Sequence, residues 1–320
     1  MKKYNILVSG ASGIVGYGIL RSLKNSNCYL IGTTIYETSP ANCFSDIVLT
    51  PPMTSDPDYI PWLLKTIKEY KIDMIIPAIE ADMNSWNKNR EILEKTGTKV
   101  LLNNSELIGL CLDKWNFYKK LEENNFRYRI ESSITPDFSR FKLPFLLKPR
   151  CGFGSKGIVK VEDCATFEKH QSEIGENLMM QEFVGTSDEE YTASGFFDKE
   201  SRLKAFLVMR RKLSKQGFTE IAEVVDEPEL KEIISELSKI FRPVGATNFQ
   251  FRKHNGSWKL LEINPRISSS TSLKTAFGYN ECEMSVDYFL NNREIEQPLI
   301  RKGRAIRYTE DFIFYDSDNI

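Results

Sequence analysis

Residues 258–266 read Trp-Lys-Leu-Leu-Glu-Ile-Asn-Pro-Arg and have the apolar–polar alternation of a β-strand. Glu262 and Asn264 fall on one face of this strand, while Leu261 and Ile263 fall on the other. A carboxylate and an amide oxygen two positions apart lie roughly 7 Å apart along a strand, close enough to share or bridge hard cations. The stretch therefore indicates a site for a magnesium-bound nucleotide.

A second alternating strand, residues 247–252, precedes it and is separated from it by His-Asn-Gly-Ser. Asn-Gly between two alternating runs predicts a β-hairpin. Gln250 can share a metal with Glu262 only if the two residues lie opposite each other or an even offset apart. Because a two-residue turn would place Leu261 opposite Gln250, we predict an odd-length turn, of three residues, with Gly256 at positive φ.

A glycine-rich segment, Lys-Pro-Arg-Cys-Gly-Phe-Gly-Ser-Lys-Gly at residues 148–157, lies between two apolar runs. Its glycines fit the spacing G-x-G-x-x-G, but a strand and not a helix follows, so the dinucleotide interpretation fails. A strand–loop–strand with small residues lets backbone N–H groups close over phosphate oxygens. We predict a phosphate-binding loop, with Lys148 as a fixed positive charge. The residues of this loop are Gly152, Gly154, Ser155, Lys156 and Gly157.

Two further segments carry polar groups at positions where they could contact a nucleotide. The apolar strand 179–185 runs into a short connection, and Glu190 stands at the head of the next strand. Such a connection can offer main-chain donors and acceptors to an adenine edge, and a nearby carboxylate can accept from ribose hydroxyls. Earlier in the chain, Asp113 and Lys114 occupy the first turn of a predicted helix. Asp113 complements the helix dipole but Lys114 does not, which indicates another role for the lysine.

In this order, the four segments resemble the ATP-grasp superfamily, in particular the branch with carbamoyl-phosphate synthase large subunits and biotin carboxylase. The resemblance covers roughly residues 1–290. It implies an enzyme that holds Mg-ATP between two lobes, phosphorylates a carboxylate and passes the acyl phosphate to an amine or ammonia. The expected fold is α/β, with a Rossmann-like parallel domain at 1–110 and a two-lobed α+β ATP-grasp fold. Its small lobe, with linker helix and lid, would span 111–187, and its large lobe, with the metal site, 188–320.

The resemblance also implies a role for each matching residue. The glycine-rich loop at residues 152–157 would form a flexible lid over the phosphates. The other implied ATP-binding residues are Lys114, Lys148, Gln181, Glu182, Phe183, Val184 and Glu190. The backbone of Glu182 and Val184 would meet adenine, and Glu190 would meet ribose. The implied ligands of one or two Mg²⁺ ions are Gln250, Glu262 and Asn264. Arg266 and Lys148 would be catalytic, with Arg266 facing the transferring phosphoryl group.

The chain departs from the family pattern at two places. After Asn-Pro-Arg, where the family often has paired glycines, this chain has a serine-rich run that includes Ser269. Gln250 stands where many members carry Glu, so the number of metal ions stays open.

Arginine can bind a carboxylate with two parallel hydrogen bonds. The candidate substrate contacts are Arg210, Arg211, Ser269 and Arg307. The acid and the nucleophile stay unidentified.

The N-terminal glycine turn offers a rival interpretation. Residues 4–16 form a predicted strand and glycine turn before a helix, and Glu37 follows at about the distance of a ribose-binding acid. Read locally, this pattern predicts an NAD(P)-dependent oxidoreductase or epimerase, but no Tyr-x-x-x-Lys pair with a catalytic serine follows. A nucleotide-binding subunit without its own chemistry is the third possibility. The presence of Lys148, Glu262 and Arg266 argues against it.

Composition narrows the class of protein. The chain has 43 basic and 44 acidic residues, a net charge of −1, so no global field favours nucleic acid or an anionic membrane. No apolar run approaches a transmembrane span. Six cysteines without a Cys-x-x-Cys pair favour reduced thiols and a cytoplasmic enzyme. The expected partners are small-molecule substrates, and a homodimer stays open. The chain has only two histidines, His170 and His254, and neither is placed as a general base, which argues against a hydrolase triad.

Overall fold

Apolar runs at the start of the chain build a parallel sheet in this computed structural model, which describes residues 3–152, 156–214 and 217–313 except the side chain of Ser187. The strands are β1 (Tyr4–Val8), β2 (Cys28–Thr33), β3 (Ile47–Leu49), β4 (Met74–Ile76) and β5 (Lys99–Val100). All pairs are parallel, in the order β3-β2-β1-β4-β5. In β1, Ile6, Leu7 and Val8 are fully buried, as expected of a parallel strand covered on both faces. The predicted parallel α/β unit is confirmed.

Helices follow these strands as the alternating pattern predicts. They are α1 (Ile14–Leu23), α2 (Tyr59–Glu69), α3 (Glu80–Lys88) and α4 (Arg90–Glu94). The turn from β1 into α1 is tightly packed, because a Cβ atom at Gly16 would lie 2.3 Å from the carbonyl oxygen of Gly10. Gly10 itself has a φ of +59°, a left-handed conformation that favours glycine. The glycines of this turn therefore have a structural reason to be present.

The chain then forms a small lobe around a four-stranded sheet. Its elements are α5 (Ser105–Leu112), α6 (Lys114–Glu123), β6 (Ser132–Ser133), β7 (Phe145–Pro149), β8 (Val159–Val161), α7 (Cys164–His170) and β9 (Leu178–Glu182). The strands are antiparallel, in the order β6-β9-β7-β8. Phe145, Leu147 and Met180 are fully buried in the core of this lobe. The sheet places the end of β7, with Lys148, beside Met179 of β9.

A large antiparallel lobe follows. Its elements are β10 (Glu190–Phe197), β11 (Leu203–Leu213), β12 (Thr219–Val224), α8 (Pro228–Phe241), β13 (Gly245–His254) and β14 (Ser257–Asn264). Its strands lie in the order β14-β13-β10-β11-β12. Helix α8 buries an apolar stripe that includes Leu230, Ile234 and Leu237, which are all fully buried. The predicted amphipathic helix is thus a core-packing element, and it leaves the other face of the sheet to polar residues.

After Pro265 the chain forms α9 (Thr271–Ala276), α10 (Glu281–Phe289) and β15 (Arg304–Ile306). Residues from Arg266 onward belong to one compact unit with residues up to Leu102, and Asn103–Pro265 form the second unit. In the first unit, the fully buried Lys274 forms an ion pair with Glu281 and donates to Ser268 Oγ at 3.1 Å. Among the described helices, none is both long and apolar enough to cross a membrane. The division at 1–110, 111–187 and 188–320 stays a prediction.

Candidate functional site

The hairpin of β13 and β14 has a two-residue turn. Asn255 and Gly256 have φ values of +50° and +76°, and the turn pairs His254 with Ser257. The predicted odd-length turn is therefore wrong, whereas the positive φ of Gly256 is confirmed. The physical reason is local, because Asn-Gly tolerates left-handed backbone at both positions and so forms the type I′ turn that suits a twisted hairpin.

A β-bulge nevertheless brings the predicted metal ligands together. The pairing passes from Phe251–Leu260 directly to Gln250–Glu262, so that Leu261 is an extra residue in β14. Side chains alternate along a strand with a period of two, and one extra residue therefore reverses the face of every residue that follows it. Gln250 and Glu262 are direct cross-strand partners, as predicted. The bulge supplies the one extra residue that was predicted in the turn.

Glu262 and Asn264 form the core of the candidate metal site. Asn264 Nδ2 donates a hydrogen bond to Glu262 Oε1 at 3.0 Å. Within the described ranges, Glu262 Oε2 and Asn264 Oδ1 have no hydrogen-bond partner, so both oxygens are available to a ligand. Carboxylate and amide oxygens are hard donors that suit Mg²⁺. The donor set therefore fits the ion that the sequence predicts.

Gln250 reaches the same face, but its oxygen is engaged. Arg211 Nη2 donates to Gln250 Oε1 at 2.6 Å. Arg211 is only 7% exposed, so this cation is a fixed part of the sheet. A metal that uses the Gln250 oxygen would compete with a buried guanidinium, whereas Glu262 and Asn264 carry no such contact. The structure thus gives Gln250 a weaker position as a ligand than its two neighbours.

Glu190 is the centre of a buried ion cluster. Its Oε1 accepts from Arg211 Nε at 3.2 Å and Nη2 at 2.8 Å, and its Oε2 accepts from Arg252 Nε at 3.2 Å and Nη2 at 2.9 Å. The three residues are cross-strand partners on β11, β10 and β13. A carboxylate has about four acceptor positions, and all are occupied here. A ribose hydroxyl could bind Glu190 only by displacing an arginine, and the ribose role stays a prediction.

Arg252 was missed by the sequence analysis. The available signal was its position two residues after Gln250, which places both side chains on one face of β13. Of the two candidate arginines on β11, Arg211 joins this polar face. Arg210 points away from it, is exposed, and pairs with Glu223 of β12 at 2.8 Å. Arg210 is therefore not on the face of β11 that carries Arg211, and its substrate role stays a prediction.

Lys148 lies among these charges at the end of β7. Burial lowers the pKa of Lys148 to about 8; the Glu262 carboxylate opposes that shift, while Arg252 and Lys114 add to it and Glu190 opposes it weakly. Coulombic effects weaken with distance, so the four charges that shift the pKa of Lys148 lie in its neighbourhood. Lysines from the small lobe and the Glu262 carboxylate from the large lobe therefore converge.

The lowered pKa of Lys148 predicts a pH-dependent affinity for ATP. Lys148 must be protonated in order to bind phosphate in its predicted role, so we expect the Kd of the free protein for ATP to stay level below pH 7 and to rise several-fold as pH passes through about 8. Lys148→Arg keeps its charge at these pH values and should remove the dependence. Titration calorimetry across pH 6.5–9.5 measures this. Parallel pH profiles for the two proteins would contradict the role of Lys148.

The N-terminus of α6 is tied to the start of the glycine-rich loop. Lys114 Nζ donates to the carbonyl of Gly152 at 2.7 Å, and the Lys114 amide donates to that of Arg150 at 2.8 Å. Asp113 caps the helix by accepting from the Trp115 amide at 2.9 Å. Asp113 also binds Arg150, a pair that the sequence analysis did not anticipate. Lys114, which is predicted to bind ATP phosphates, is thus held beside the glycine-rich loop.

The predicted lid is only partly described. Gly152 and Gly157 have φ values of +117° and +74°, conformations that favour glycine, and Lys156 is exposed. Gly154 and Ser155 lie outside the described residues. The loop therefore enters and leaves through glycine-specific backbone, which is compatible with the close approach to phosphate that the sequence predicts.

The predicted adenine segment follows β9. Gln181 is fully buried, and its Nε2 donates to Ser132 Oγ of β6 at 2.9 Å, while its ATP-binding role stays a prediction. The Glu182 amide donates to the carbonyl of Glu131 at 3.0 Å. The Val184 carbonyl accepts from Arg252 Nη1 at 3.4 Å. Phe183 lies 5.5 Å below Lys160 Nζ, a cation–π distance. The segment is therefore fixed at both ends of its connection.

His254 and Gly185 fix the connection against β13. The Gly185 amide donates to His254 Nδ1 at 3.0 Å, and a Cβ atom at Gly185 would lie 2.4 Å from the carbonyl oxygen of Lys253. One of the two histidines thus has a structural role as an acceptor. This agrees with the prediction that histidine is not a general base here.

The remaining candidates, Arg266, Ser269 and Arg307, lie in the first unit. Arg266 Nη2 binds Glu80 Oε1 at 3.1 Å, and its buried Nε has no partner among the described residues. Arg307 donates to the Ser269 carbonyl, and its Nη1 donates to the Tyr17 hydroxyl at 3.4 Å. Ser269 therefore contacts Arg307 through its backbone. The catalytic role of Arg266 and the substrate roles of Ser269 and Arg307 stay predictions.

Comparison with known proteins gives two matching families and a distant relative. Residues 176–312 match the family described as "ATP-grasp in the biosynthetic pathway with Ter operon", and residues 15–101 match "PylC-like, N-terminal domain". The chain is 23% identical over 276 residues to the carbamoyl phosphate synthase large chain of Methanothermobacter thermautotrophicus, an alignment that covers 78% of this chain and 26% of the relative. The chain thus spans about a quarter of that relative's length.

Two solved structures have the same fold. N5-carboxyaminoimidazole synthetase from Staphylococcus aureus complexed with ADP has a TM-score of 0.74 at 15% identity, over 93% of this chain and 81% of that chain. The biotin carboxylase–β,γ-ATP complex from Campylobacter jejuni has a TM-score of 0.71 at 17% identity, over 89% of this chain and 71% of that chain. The resemblance to the ATP-grasp superfamily and the predicted fold class are confirmed.

Proposed function

We propose that this protein, which has the ATP-grasp fold, is an ATP- and Mg²⁺-dependent ligase that joins a carboxylate to an amine or to ammonia. The observation that carries the proposal is the convergence of Lys114 and Lys148 on the strand pair with Glu262, Asn264 and Gln250. Cationic side chains beside hard oxygen ligands are what the transfer of a phosphoryl group from Mg-ATP requires.

The chemistry follows from charge and position. The substrate carboxylate attacks the γ-phosphorus of ATP, the bond to the β-γ bridging oxygen breaks, and ADP leaves. The nitrogen of the second substrate then attacks the acyl phosphate, and inorganic phosphate leaves as the C–N bond forms. Lys114 and Lys148 would bind phosphate oxygens, while Glu262 and Asn264 would hold Mg²⁺. A bound Mg²⁺ would neutralise charge that develops on the phosphates.

Neither alternative has equal support. The nicotinamide interpretation needs an acidic residue at the end of β2, whereas Glu37 lies beyond Thr33, where that strand ends. The Ser12 hydroxyl contacts those of Thr34 and Ser39, which closes the glycine turn with internal hydrogen bonds. The presence of Lys148, Glu262, Asn264 and Arg266, residue types that phosphoryl transfer uses, argues against a binding subunit without its own chemistry. The proposal includes one or two bound Mg²⁺ ions and a cytoplasmic location, and it leaves a homodimer open.

The direct test is ATP turnover with a panel of carboxylic acids, each with and without amines or ammonium. We expect ADP and phosphate to form in equal amounts, only with Mg²⁺ and only with a suitable acid. Formation of AMP and pyrophosphate would indicate an adenylating enzyme and would contradict the proposal. Reduction of NAD(P)⁺ by a sugar substrate would support the rival interpretation.

A further inference from the structure

The bulge in β14 has a buried partner outside the sheet. Tyr118 of α6 is 3% exposed, and its hydroxyl donates to the carbonyl of Leu261 at 2.6 Å. Leu261 is the extra residue that brings Glu262 opposite Gln250. Burial raises the pKa of the Tyr118 hydroxyl above its usual value, so the group stays a hydrogen-bond donor.

A bulge needs such a partner because its extra residue leaves the ladder. Leu261 has no cross-strand partner on β13, and β14 is the outermost strand of its sheet. Backbone polar groups that are buried without partners are costly, so they find them elsewhere. Here α6 supplies a donor to Leu261, and the segment after α6 supplies an acceptor, since the Leu260 amide donates to the carbonyl of Tyr128 at 2.9 Å.

We propose that Tyr118 is a positioning residue of the metal site, which holds the Leu261 bulge and thereby keeps Glu262 and Asn264 on the face of Gln250. Without the bulge-stabilising hydrogen bond, β14 is free to slide by one residue. The two-residue turn would then favour the regular pairing of Leu261 with Gln250, which places Glu262 on the opposite face. The inference rests on the proposed function for the metal-binding role of Glu262.

The position of Tyr118 on its helix links two parts of the site. Lys114 and Tyr118 are four residues apart in α6, so both project from one face of the helix. Lys114 Nζ contacts the glycine-rich loop at Gly152, and the Tyr118 hydroxyl contacts the strand that carries Glu262. One helix therefore sets the separation between a phosphate-binding lysine and the metal ligands.

The test compares Tyr118→Phe with Tyr128→Phe. Both variants remove one tyrosine hydroxyl and keep a ring that packs in the same hydrophobic core. The Tyr128 hydroxyl contacts Glu229 at 3.3 Å, away from the bulge. We expect Tyr118→Phe to weaken Mn²⁺ binding to the ADP complex by about tenfold, measured by electron paramagnetic resonance, with ADP affinity in the absence of metal unchanged. Tyr128→Phe should bind Mn²⁺ as the unmodified protein does.

A second measurement needs no metal at all. Amide hydrogen exchange of the ADP-free and metal-free protein should be faster within residues 257–264 of Tyr118→Phe than in Tyr128→Phe, because the bulge opens more often. Deletion of Leu261 supplies a rescue. It leaves a regular hairpin with a two-residue turn in which Glu262 follows Leu260 and faces Gln250 directly, so it should restore Mn²⁺ binding to Tyr118→Phe.

The outcomes separate the two proposals. Equal Mn²⁺ affinity and equal exchange in Tyr118→Phe and Tyr128→Phe would overturn the role of Tyr118 and leave the ligase proposal standing. An unmodified protein that binds ADP without any Mn²⁺ site would overturn the metal site and with it the role of Tyr118. Weakened Mn²⁺ binding in Tyr118→Phe that the Leu261 deletion restores would support the inference.

Discussion

Replacing Glu262 with Gln should lower kcat for ADP formation by about 100-fold or more while the protein stays folded. The variant keeps an oxygen near Asn264 Nδ2, so the hydrogen bond of 3.0 Å can persist. It loses the negative charge that offsets Mg²⁺ and the phosphates. A metal ion contributes several kcal/mol to such a transition state, and each 1.36 kcal/mol is about tenfold in rate.

A matched control is available on the same sheet. Glu223→Gln makes the identical change at a carboxylate that pairs with the exposed Arg210 and lies outside the site. Turnover of that variant should stay within about twofold of the unmodified protein, because partly exposed ion pairs contribute little. Steady-state assays over a range of Mg²⁺ concentrations measure both. Normal turnover and normal Mg²⁺ dependence in Glu262→Gln would remove the metal assignment.

Replacing Arg211 with Met should destabilise the second unit by about 3–5 kcal/mol. Arg211 is 7% exposed and donates twice to Glu190, which is 3% exposed. The variant leaves Glu190 Oε1 and Gln250 Oε1 without the donor they share, and a buried acceptor left unsatisfied costs about 1–3 kcal/mol, more when it is charged. Arg252 still binds Glu190 Oε2, so the carboxylate keeps one of its two arginines.

The neighbouring arginine provides the comparison. Arg210→Met makes the same change one residue earlier, at a half-exposed side chain paired with Glu223, and should cost at most about 1 kcal/mol. Urea unfolding followed by fluorescence, with m-values compared, measures the difference. Equal losses for the two variants would contradict the buried cluster.

The fold was readable from the sequence because its signals are local. Alternation along 258–266 and Asn-Gly before it were enough for the hairpin, and apolar runs separated by helical stretches were enough for the parallel unit. The prediction of the turn length was wrong for a related reason. Gln250 and Glu262 share a face only if the hairpin contains one extra residue between them. The sequence did not reveal that this residue is a bulge at Leu261 of β14 and that the turn itself has two residues.

The site was less readable because its contacts are between strands that are distant in the chain. Arg211 and Arg252 meet at Glu190 only through the register of three strands, so the sequence could not distinguish Arg211 from Arg210 or reveal Arg252. The engagement of the Gln250 oxygen by Arg211 has the same origin. Lys114 and Lys148 could be predicted as phosphate ligands from their positions in the sequence, whereas the lowered pKa of Lys148 depends on burial that no local pattern records.

The measurement that tests the ligase proposal most directly is isotope transfer from the acid to phosphate. The carboxylic acid that supports turnover is labelled with ¹⁸O in its carboxylate and incubated with Mg-ATP and the amine. Attack of the carboxylate on the γ-phosphorus predicts inorganic phosphate that carries one ¹⁸O atom, detected by ³¹P nuclear magnetic resonance, together with ADP. Unlabelled phosphate, or label found in AMP, would contradict the account.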